Sequence, residues 1–161
     1  MLAPAVVLYD VVLFVHVLAV VLAFGVMFAY PLLDAHVRRT NPGDLVALHR
    51  FQVFLTSRLI TPAMVVVLAA GLYLVIDGPY GFGDPWISAT LTILIVVFGL
   101  SGAVLTPSER RLVELAQRDA RSGGGPSADY ERQARIYAIV GGLAALLIVV
   151  AVFLMTVKPG A

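Results

Sequence analysis

Three side chains within largely apolar stretches have the chemistry to bind a metal centre or an anionic group. His16 lies in LFVHVLAVVLAFGVMFAY, residues 13–30, and imidazole is the commonest metal ligand among side chains. Met64 offers a thioether sulfur as a second ligand, and Arg58 offers a guanidinium that suits a carboxylate or a phosphate. Each residue also has a structural interpretation. His16 would then hydrogen-bond across helices, Met64 would fill space in a core, and Arg58 would extend to the membrane surface or pair with a carboxylate.

The elements that must position these residues are membrane-spanning helices. The chain is 60% hydrophobic and only 13% charged, with a mean hydropathy of +0.96, which is typical of an integral membrane protein. Four windows without Asp, Glu, Lys or Arg each approach the ~20 residues that cross a bilayer. We therefore predict an all-α four-helix transmembrane bundle in a single domain of residues 1–161, with spans at about 9–31, 53–76, 86–106 and 136–157.

Arginine is distributed unevenly among the predicted connections, and this indicates the orientation. Six arginines lie in residues 107–135 and three in residues 34–50, whereas the connection at 77–85 has none. Because basic loops stay in the cytoplasm, both termini are expected outside, in the cytoplasmic (inner) membrane of a bacterium. Membrane topology explains the positions of the arginines, so we expect no nucleic-acid partner. The lack of cysteine excludes disulfides and iron–sulfur clusters.

The second inner connection contains a helix of its own. TPSE at residues 106–109 has the pattern of a capping box, with proline at the first helical position and glutamate at the third. We predict a short cytoplasmic helix from this point, either separate or as an extension of the third span. The stretch SGGGPS, residues 122–127, ends it, and the fourth helix begins shortly afterwards.

The predicted topology also indicates which residues share a depth in the bilayer. At about 1.5 Å per residue, His16 lies roughly 10 Å below the outer boundary, Thr92 roughly 9 Å and Met64 about 18 Å. His16 shares a helix face with alanines, so its side chain should point into the bundle. His36 is about 30 Å away along the same helix, and His49 starts the second helix on the inner side. We therefore do not expect two histidines on one haem.

Two segments carry a resemblance to a known group of proteins. SRLITPAMVVVLAAGLYL, residues 57–74, and LFVHVLAVVLAFG, residues 13–25, resemble the bacterial four-helix membrane protoporphyrinogen oxidases, the copper-resistance D membrane domain and their uncharacterised integral membrane relatives. In the oxidases the first-helix histidine is implicated in binding b-type haem, so the resemblance implies haem b at His16, with Arg58 opening the second helix. The third helix, DPWISATLTILIVVFGL, lacks the lysine and histidine of the oxidases, which favours the uncharacterised relatives.

Three classes of function follow from these observations. The first, our leading hypothesis, is b-type haem binding with a redox or haem-related role, with His16 as axial ligand, Met64 opposite it and Arg58 on a propionate. The second is a small transporter accessory in which His16, Met64 and Thr92 line a path. The third is a non-catalytic membrane subunit that packs through small-residue faces, in a homo-oligomer or with a partner membrane subunit. In each case membrane lipid surrounds the bundle.

Overall fold

The computed structural model describes residues 4–123 and 125–160, with side chains from residue 8 onward. In chain order its elements are α1 (Pro4–Thr40), a short 3-10 turn (Pro42–Asp44), α2 (Leu45–Leu55), α3 (Thr61–Asp77), α4 (Pro85–Leu100), α5 (Thr106–Arg121) and α6 (Ala128–Val157). Among the described residues, four helices are long and apolar enough to cross a membrane: Leu8–Thr40, Pro42–Asp77, Pro85–Arg121 and Ala128–Val157. The predicted all-α bundle with four spanning helices is confirmed.

Helix α2 continues into α3, and α4 into α5, through a wide turn of π-helix. The wide turns are Thr56–Ile60 and Ser101–Leu105, and a Thr-Pro pair follows each of them. Pro62 and Pro107 have no N–H to donate to the preceding turn, and the proline ring would clash with that turn in a regular α-helix. In both wide turns the N–H of the following threonine donates to the carbonyl five residues earlier, which makes room for the ring. Each pair of helices therefore forms one continuous rod.

The membrane part of the bundle forms where α1 packs against α3 and α4 packs against α6. Its apolar core takes residues from all four rods, among them Ala23, Val67, Val97 and Ile148. The outward faces carry large apolar side chains such as Phe14, which is 66% exposed. In water this surface would be unfavourable, and in a bilayer it contacts lipid. The prediction that membrane lipid surrounds the bundle is therefore consistent with the way that the helices pack.

A second apolar core forms at the end of the bundle where α2 packs against α5 and α5 against α6. Its buried residues are Leu45, Leu112, Leu115, Ala116, Tyr130 and Ala134. The arginine-rich connections lie at this end, and we call it the arginine-rich end of the bundle. Helix α5 is the predicted short helix between the third and fourth spans, and it is the direct extension of α4.

The start of α5 differs from the capping box that TPSE predicts. Thr106 lies within a continuous rod, the preceding Leu105 is itself helical, and among the described residues no side chain caps this point. A capping box requires an N-cap residue outside the helix, and the wide turn removes that condition. Glu109 is consequently available for contacts with other helices.

The opposite end of the bundle brings together the start of α1, the connection between α3 and α4, and the end of α6. The ring of Tyr9 lies against Gly78, where an added Cβ would be 3.2 Å from Cε2 of the tyrosine. Lys158 Nζ donates to the Tyr80 hydroxyl at 3.1 Å and lies 4.4 Å from the centre of the tyrosine ring. The start of α1 and the end of α6 therefore lie beside the connection that lacks arginine, as an even number of spans requires.

Candidate functional site

His16 points into the bundle, as the alanines on its helix face predict. The residue is only 5% exposed, and its Nδ1 lies 3.0 Å from the carbonyl oxygen of Val67 on α3. A carbonyl can only accept, so Nδ1–H is the donor and Nε2 carries the lone pair. Gly71, one turn further along α3, faces the ring, because a Cβ there would lie 3.1 Å from Cε1 of the histidine. His16 therefore makes a hydrogen bond between two spanning helices, which agrees with its structural interpretation.

The structure does not bring the other predicted site residues to His16. Met64 is buried in the membrane core, but it lines a different cavity from the one beside His16. Arg58 is exposed in the wide turn Thr56–Ile60, and within the described residues its side chain makes no ion pair or hydrogen bond. Thr92 is exposed and donates to the carbonyl of Ser88 in its own helix at 2.8 Å. These residues therefore do not form one site.

A haem held by His16, Met64 and Arg58 does not fit this arrangement. The cavity beside His16 has a volume of about 30 Å³, whereas pockets for ligands of drug size measure about 300 Å³ or more. Haem binding stays a prediction from the sequence. A Soret band that is present in the wild type and lost in His16→Ala would establish it and overturn the structural interpretation.

The fit between His16 and Gly71 predicts the effect of a single methyl group. Gly71→Ala places a Cβ at 3.1 Å from the imidazole, which is closer than the ring tolerates without moving. We expect the free energy of unfolding to be lower by about 1 kcal/mol or more than in a glycine-to-alanine variant without a steric contact, because the ring must shift away from the Val67 carbonyl. Thermal unfolding of the protein in detergent measures the effect.

A matched control for this variant lies on α1. A Cβ at Gly25 meets nothing within 4 Å, so Gly25→Ala changes helix propensity without a steric contact. We expect it to be neutral or stabilising, since alanine is the better helix former by about 1 kcal/mol. Equal melting temperatures for the two variants would contradict the packing of Gly71 against His16.

A buried polar cluster joins α2 and α6 near the arginine-rich end of the bundle. His49 is 2% exposed and lies between two partners, with Nδ1 at 2.8 Å from Gln52 Oε1 and Nε2 at 2.7 Å from the Tyr130 hydroxyl. The amide oxygen can only accept, so Nδ1–H donates to Gln52, and the tyrosine donates to Nε2. The neutral imidazole therefore satisfies both ring nitrogens, and it links α2 to α6.

An ion-paired group surrounds this cluster on the α1 side. Arg38 pairs with Asp34 at 2.7 Å on its own helix and with Glu131 of α6 at 2.9 Å, and its guanidinium lies 5.0 Å from the centre of the Tyr130 ring. Asp34 Oδ1 is buried and, in the described part of the chain, has no hydrogen-bond partner; His49 Nε2 lies 3.8 Å away, beyond hydrogen-bond distance, and already accepts from Tyr130. Two carboxylates and one guanidinium leave this group with a net negative charge.

Glu109 forms a second polar contact between helices, closer to the centre of the membrane. It is 4% exposed, and its Oε1 accepts hydrogen bonds from the Tyr137 hydroxyl at 2.8 Å and the Thr56 hydroxyl at 3.0 Å. The other carboxylate oxygen, Oε2, has no partner among the residues that the structure describes, and the same is true of the Ser101 hydroxyl. Buried oxygens without partners are rare, because each costs about 1–3 kcal/mol.

A crevice between α1 and α6 lies beside these polar groups. Its volume is about 320 Å³. It is lined by Met27, Phe28, Tyr30, Pro31, Asp34, His49, Gln52, Leu105, Leu112, Ala134, Tyr137, Ala138, Gly141, Gly142 and Ala145. The crevice is wide because α6 presents alanines and glycines along this face, while α1 presents larger side chains. Phe28, Ala138 and Gly142 are exposed at its rim, on the surface that faces the membrane.

A smaller chamber lies next to the crevice, and Tyr30 and Tyr137 line both. The chamber has a volume of about 30 Å³. Its lining consists of Met27, Tyr30, Thr56, Ile60, Thr61, Met64, Ser101, Leu105, Thr106, Glu109 and Tyr137. Both wide turns contribute their first residue, Thr56 and Ser101, so the chamber lies where the two π-helical turns face each other.

Only part of this site has a recognisable signal in the sequence. His49 and Gln52 lie three residues apart in HRFQ, a spacing that places two polar side chains on one helix face. The partner Tyr130 is 81 residues further along the chain, so no local pattern connects it to them. Glu109 has a local pattern, but that pattern predicts a cap. Glu109 lies three residues after the charge-free window 86–106, and this position close to a spanning segment is the signal that favours a buried role.

Comparison with known proteins agrees with this architecture. The sequence profile of one family, described as predicted integral membrane protein, matches residues 10–159, which is nearly the whole chain. No curated protein and no solved structure matches the chain. The family match does not support the narrower resemblance to the protoporphyrinogen oxidases or the copper-resistance D domain, which stays a prediction from two short motifs. The chain belongs to the DUF2269 family of predicted integral membrane proteins.

Proposed function

We propose that this protein binds an amphipathic small molecule from the membrane in the crevice between α1 and α6. The observation that carries the proposal is a cavity of about 320 Å³ with apolar walls and a polar end. Ligand pockets of this size, with a few convergent polar groups, are typical binding sites in proteins. The volume suits a ligand that enters at least partly, with the remainder in lipid.

The route of entry is lateral, from the bilayer. Phe28 on α1 is 46% exposed, and Ala138 and Gly142 on α6 are exposed opposite it. These rim residues lie in apolar helix segments that contact lipid, so an apolar tail passes between them without leaving a hydrophobic medium. A water-soluble ligand would have no comparable path through this face.

The polar end of the crevice favours a head group that donates hydrogen bonds. Asp34 lines the crevice and retains an acceptor oxygen without a partner in the described part of the chain. In the ion-paired group beside the crevice, Asp34 and Glu131 carry two negative charges against the single positive charge of Arg38. A hydroxyl or ammonium head supplies the missing donor, whereas an ionised carboxylate or phosphate head has no hydrogen to donate to the Asp34 oxygen.

We further place the protein in the cytoplasmic membrane of a bacterium with both termini outside. The support is the distribution of arginine, which is concentrated in the two connections at the end where α2, α5 and α6 form the second core. In this orientation the polar end of the crevice lies in the inner leaflet, within reach of ligands made in the cytoplasm.

The proposal predicts that a bulky side chain in the crevice removes the ligand. Gly142 lines the crevice, and a Cβ there meets nothing within 4 Å, so a tryptophan can extend into the cavity without a backbone clash. We expect Gly142→Trp to reduce the amount of co-purified amphipathic molecule at least about tenfold, the change that 1.4 kcal/mol produces. Mass spectrometry of an organic extract of the detergent-purified protein, compared with a bulk lipid extract, measures the amount.

The matched control is Gly99→Trp on α4. Gly99 is an exposed glycine inside a spanning helix, a Cβ there meets nothing within 4 Å, and it does not line the crevice. This variant should retain the ligand as the wild type does. Equal retention in both tryptophan variants, or no molecule enriched over bulk lipid in the wild type, would remove the crevice as a binding site.

A further inference from the structure

We propose that the chamber beneath the crevice binds one small monovalent cation, with Na⁺ as the physiological candidate. The chamber contains two unpartnered buried oxygens, Glu109 Oε2 and the Ser101 hydroxyl, among the residues that the structure describes. A site for a cation is distinct from the binding of an amphipathic molecule, so this proposal stands without the proposed function.

The chemistry of the lining suits a hard cation. Glu109 supplies a carboxylate, while Thr56, Ser101 and Tyr137 supply hydroxyl oxygens. Among the described residues no side-chain nitrogen lines the chamber. Hard cations prefer oxygen ligands of this kind, and a lining without nitrogen donors leaves a carboxylate without its usual partners.

The charge of Glu109 requires compensation. At 4% exposure a carboxylate is removed from water, and removal of a single unpaired charge from water is strongly unfavourable. The titratable groups that face it are Tyr30 from α1 and Tyr137 from α6, and in the described part of the chain no arginine, lysine or histidine lines the chamber. One monovalent cation matches one carboxylate.

The chamber lies between the two wide turns. Thr56–Ile60 and Ser101–Leu105 both border it, and each is followed by a threonine and a proline. π-helical turns occur frequently at functional sites. The position of the chamber between two such turns therefore favours a binding role.

The size of the chamber limits which ligand can bind. A volume of about 30 Å³ holds a ligand no larger than one or two water molecules. A desolvated Na⁺ fits this space, whereas a polyatomic ion does not. The cation would join the carboxylate of α5 to the wide turn before α3 and would thereby tighten the contact between the two rods.

Thermal unfolding tests the proposal on the full-length protein in detergent. Na⁺ is exchanged for choline at constant ionic strength, so only the identity of the cation changes. We expect the melting temperature of the wild type to rise by several degrees with Na⁺ and to reach a plateau, since a ligand that binds only the folded state stabilises it. Glu109→Gln keeps the shape and an oxygen for Tyr137 but removes the charge, and its melting temperature should not respond to Na⁺.

Two further variants complete the test. Ser101→Ala removes one oxygen of the chamber, and the Na⁺ concentration for half of the maximal shift should rise about tenfold. Ser57→Ala is the control, because Ser57 is exposed and donates to the Val53 carbonyl of its own helix, and it should behave as the wild type. If Glu109→Gln does not fold, retention of radioactive sodium by wild type and Ser101→Ala decides between the same outcomes.

The outcomes against the proposal are equally distinct. A wild-type melting temperature that is independent of Na⁺ would overturn it, and so would an equal Na⁺ response in Glu109→Gln. A melting temperature that varies with pH but not with Na⁺ would assign a proton to Glu109 in place of a metal ion. The Gly142→Trp variant should keep its Na⁺ response even if it loses the amphipathic ligand, so the two proposals fail separately.

Discussion

Replacement of His49 by leucine is expected to lower the free energy of unfolding by about 2–4 kcal/mol. The imidazole is 2% exposed and satisfies Gln52 on one side and Tyr130 on the other. Leucine fills a similar volume but leaves two buried polar groups without partners, at a cost of about 1–3 kcal/mol each. Part of this loss is offset by the apolar packing of leucine. The measurement is thermal unfolding in detergent, with far-ultraviolet circular dichroism to report the loss of helix.

Two comparisons separate this effect from a general response to loss of histidine. His36→Leu changes an exposed histidine of α1 near the same end, and it should leave the melting temperature within experimental error of the wild type. Tyr130→Phe removes only the hydroxyl that faces His49 Nε2, so it should cost about 1–2 kcal/mol. If His49→Leu and His36→Leu have the same melting temperature, the polar cluster does not hold α2 to α6.

The fold was predictable because lipid imposes a simple rule on the sequence. A segment that crosses the bilayer must satisfy its own backbone, so each charge-free window near 20 residues long implies a helix. The windows at 9–31 and 136–157 lie inside α1 and α6. The extension of α4 into α5 was less visible, since Pro107 predicts a helix start. The wide turn that absorbs this proline depends on the geometry of the whole rod, and no local residue pattern indicates it.

The candidate site was less predictable for a different physical reason. His16 stands out because it is an ionisable residue in an apolar window, and the structure shows it satisfied by one carbonyl of α3. The larger polar clusters lie where the helices leave the membrane, and there polar residues are expected in any case. What distinguishes His49, Tyr130 and Glu109 is burial between rods, which depends on contacts between residues 81 positions apart in one case. Amino-acid composition contains no information about which distant residues contact each other.

The crevice could not be predicted from the sequence alone, because it depends on the path of a neighbouring helix. Ala138, Gly141, Gly142 and Ala145 predict a face of α6 on which another helix can approach closely. In the structure α1 does not fill this face near the arginine-rich end, and a cavity of about 320 Å³ results. Small residues therefore mark either a tight helix contact or a binding cavity, and only the path of the neighbouring helix distinguishes the two.

The second large effect is expected for a substitution of Asp34. This substitution distinguishes the contribution of the ligand contact from that of the ion-paired group around Arg38. Asp34 and Glu131 both pair with Arg38, at 2.7 Å and 2.9 Å, but only Asp34 lines the crevice. Asp34→Asn keeps the shape of the side chain and removes its charge. We expect it to reduce retention of the amphipathic ligand by a factor of about thirty or more, since loss of one partner in a buried polar pair costs about 2–5 kcal/mol.

Glu131→Gln is the matched control, because it also removes one carboxylate from Arg38. It lies outside the crevice lining, so it should retain the ligand and lose only the part of the stability that the exposed ion pair contributes, about 0–1 kcal/mol. The amount of ligand extracted from each purified variant, measured by mass spectrometry, compares them directly. Equal loss in both variants would mean that the position of Arg38 governs binding, and the assignment of Asp34 as the head-group contact would then be wrong. A loss confined to Asp34→Asn would instead identify the acceptor, and it would favour a cationic head over a hydroxyl, since an asparagine oxygen can still accept from a hydroxyl but no longer balances a positive charge.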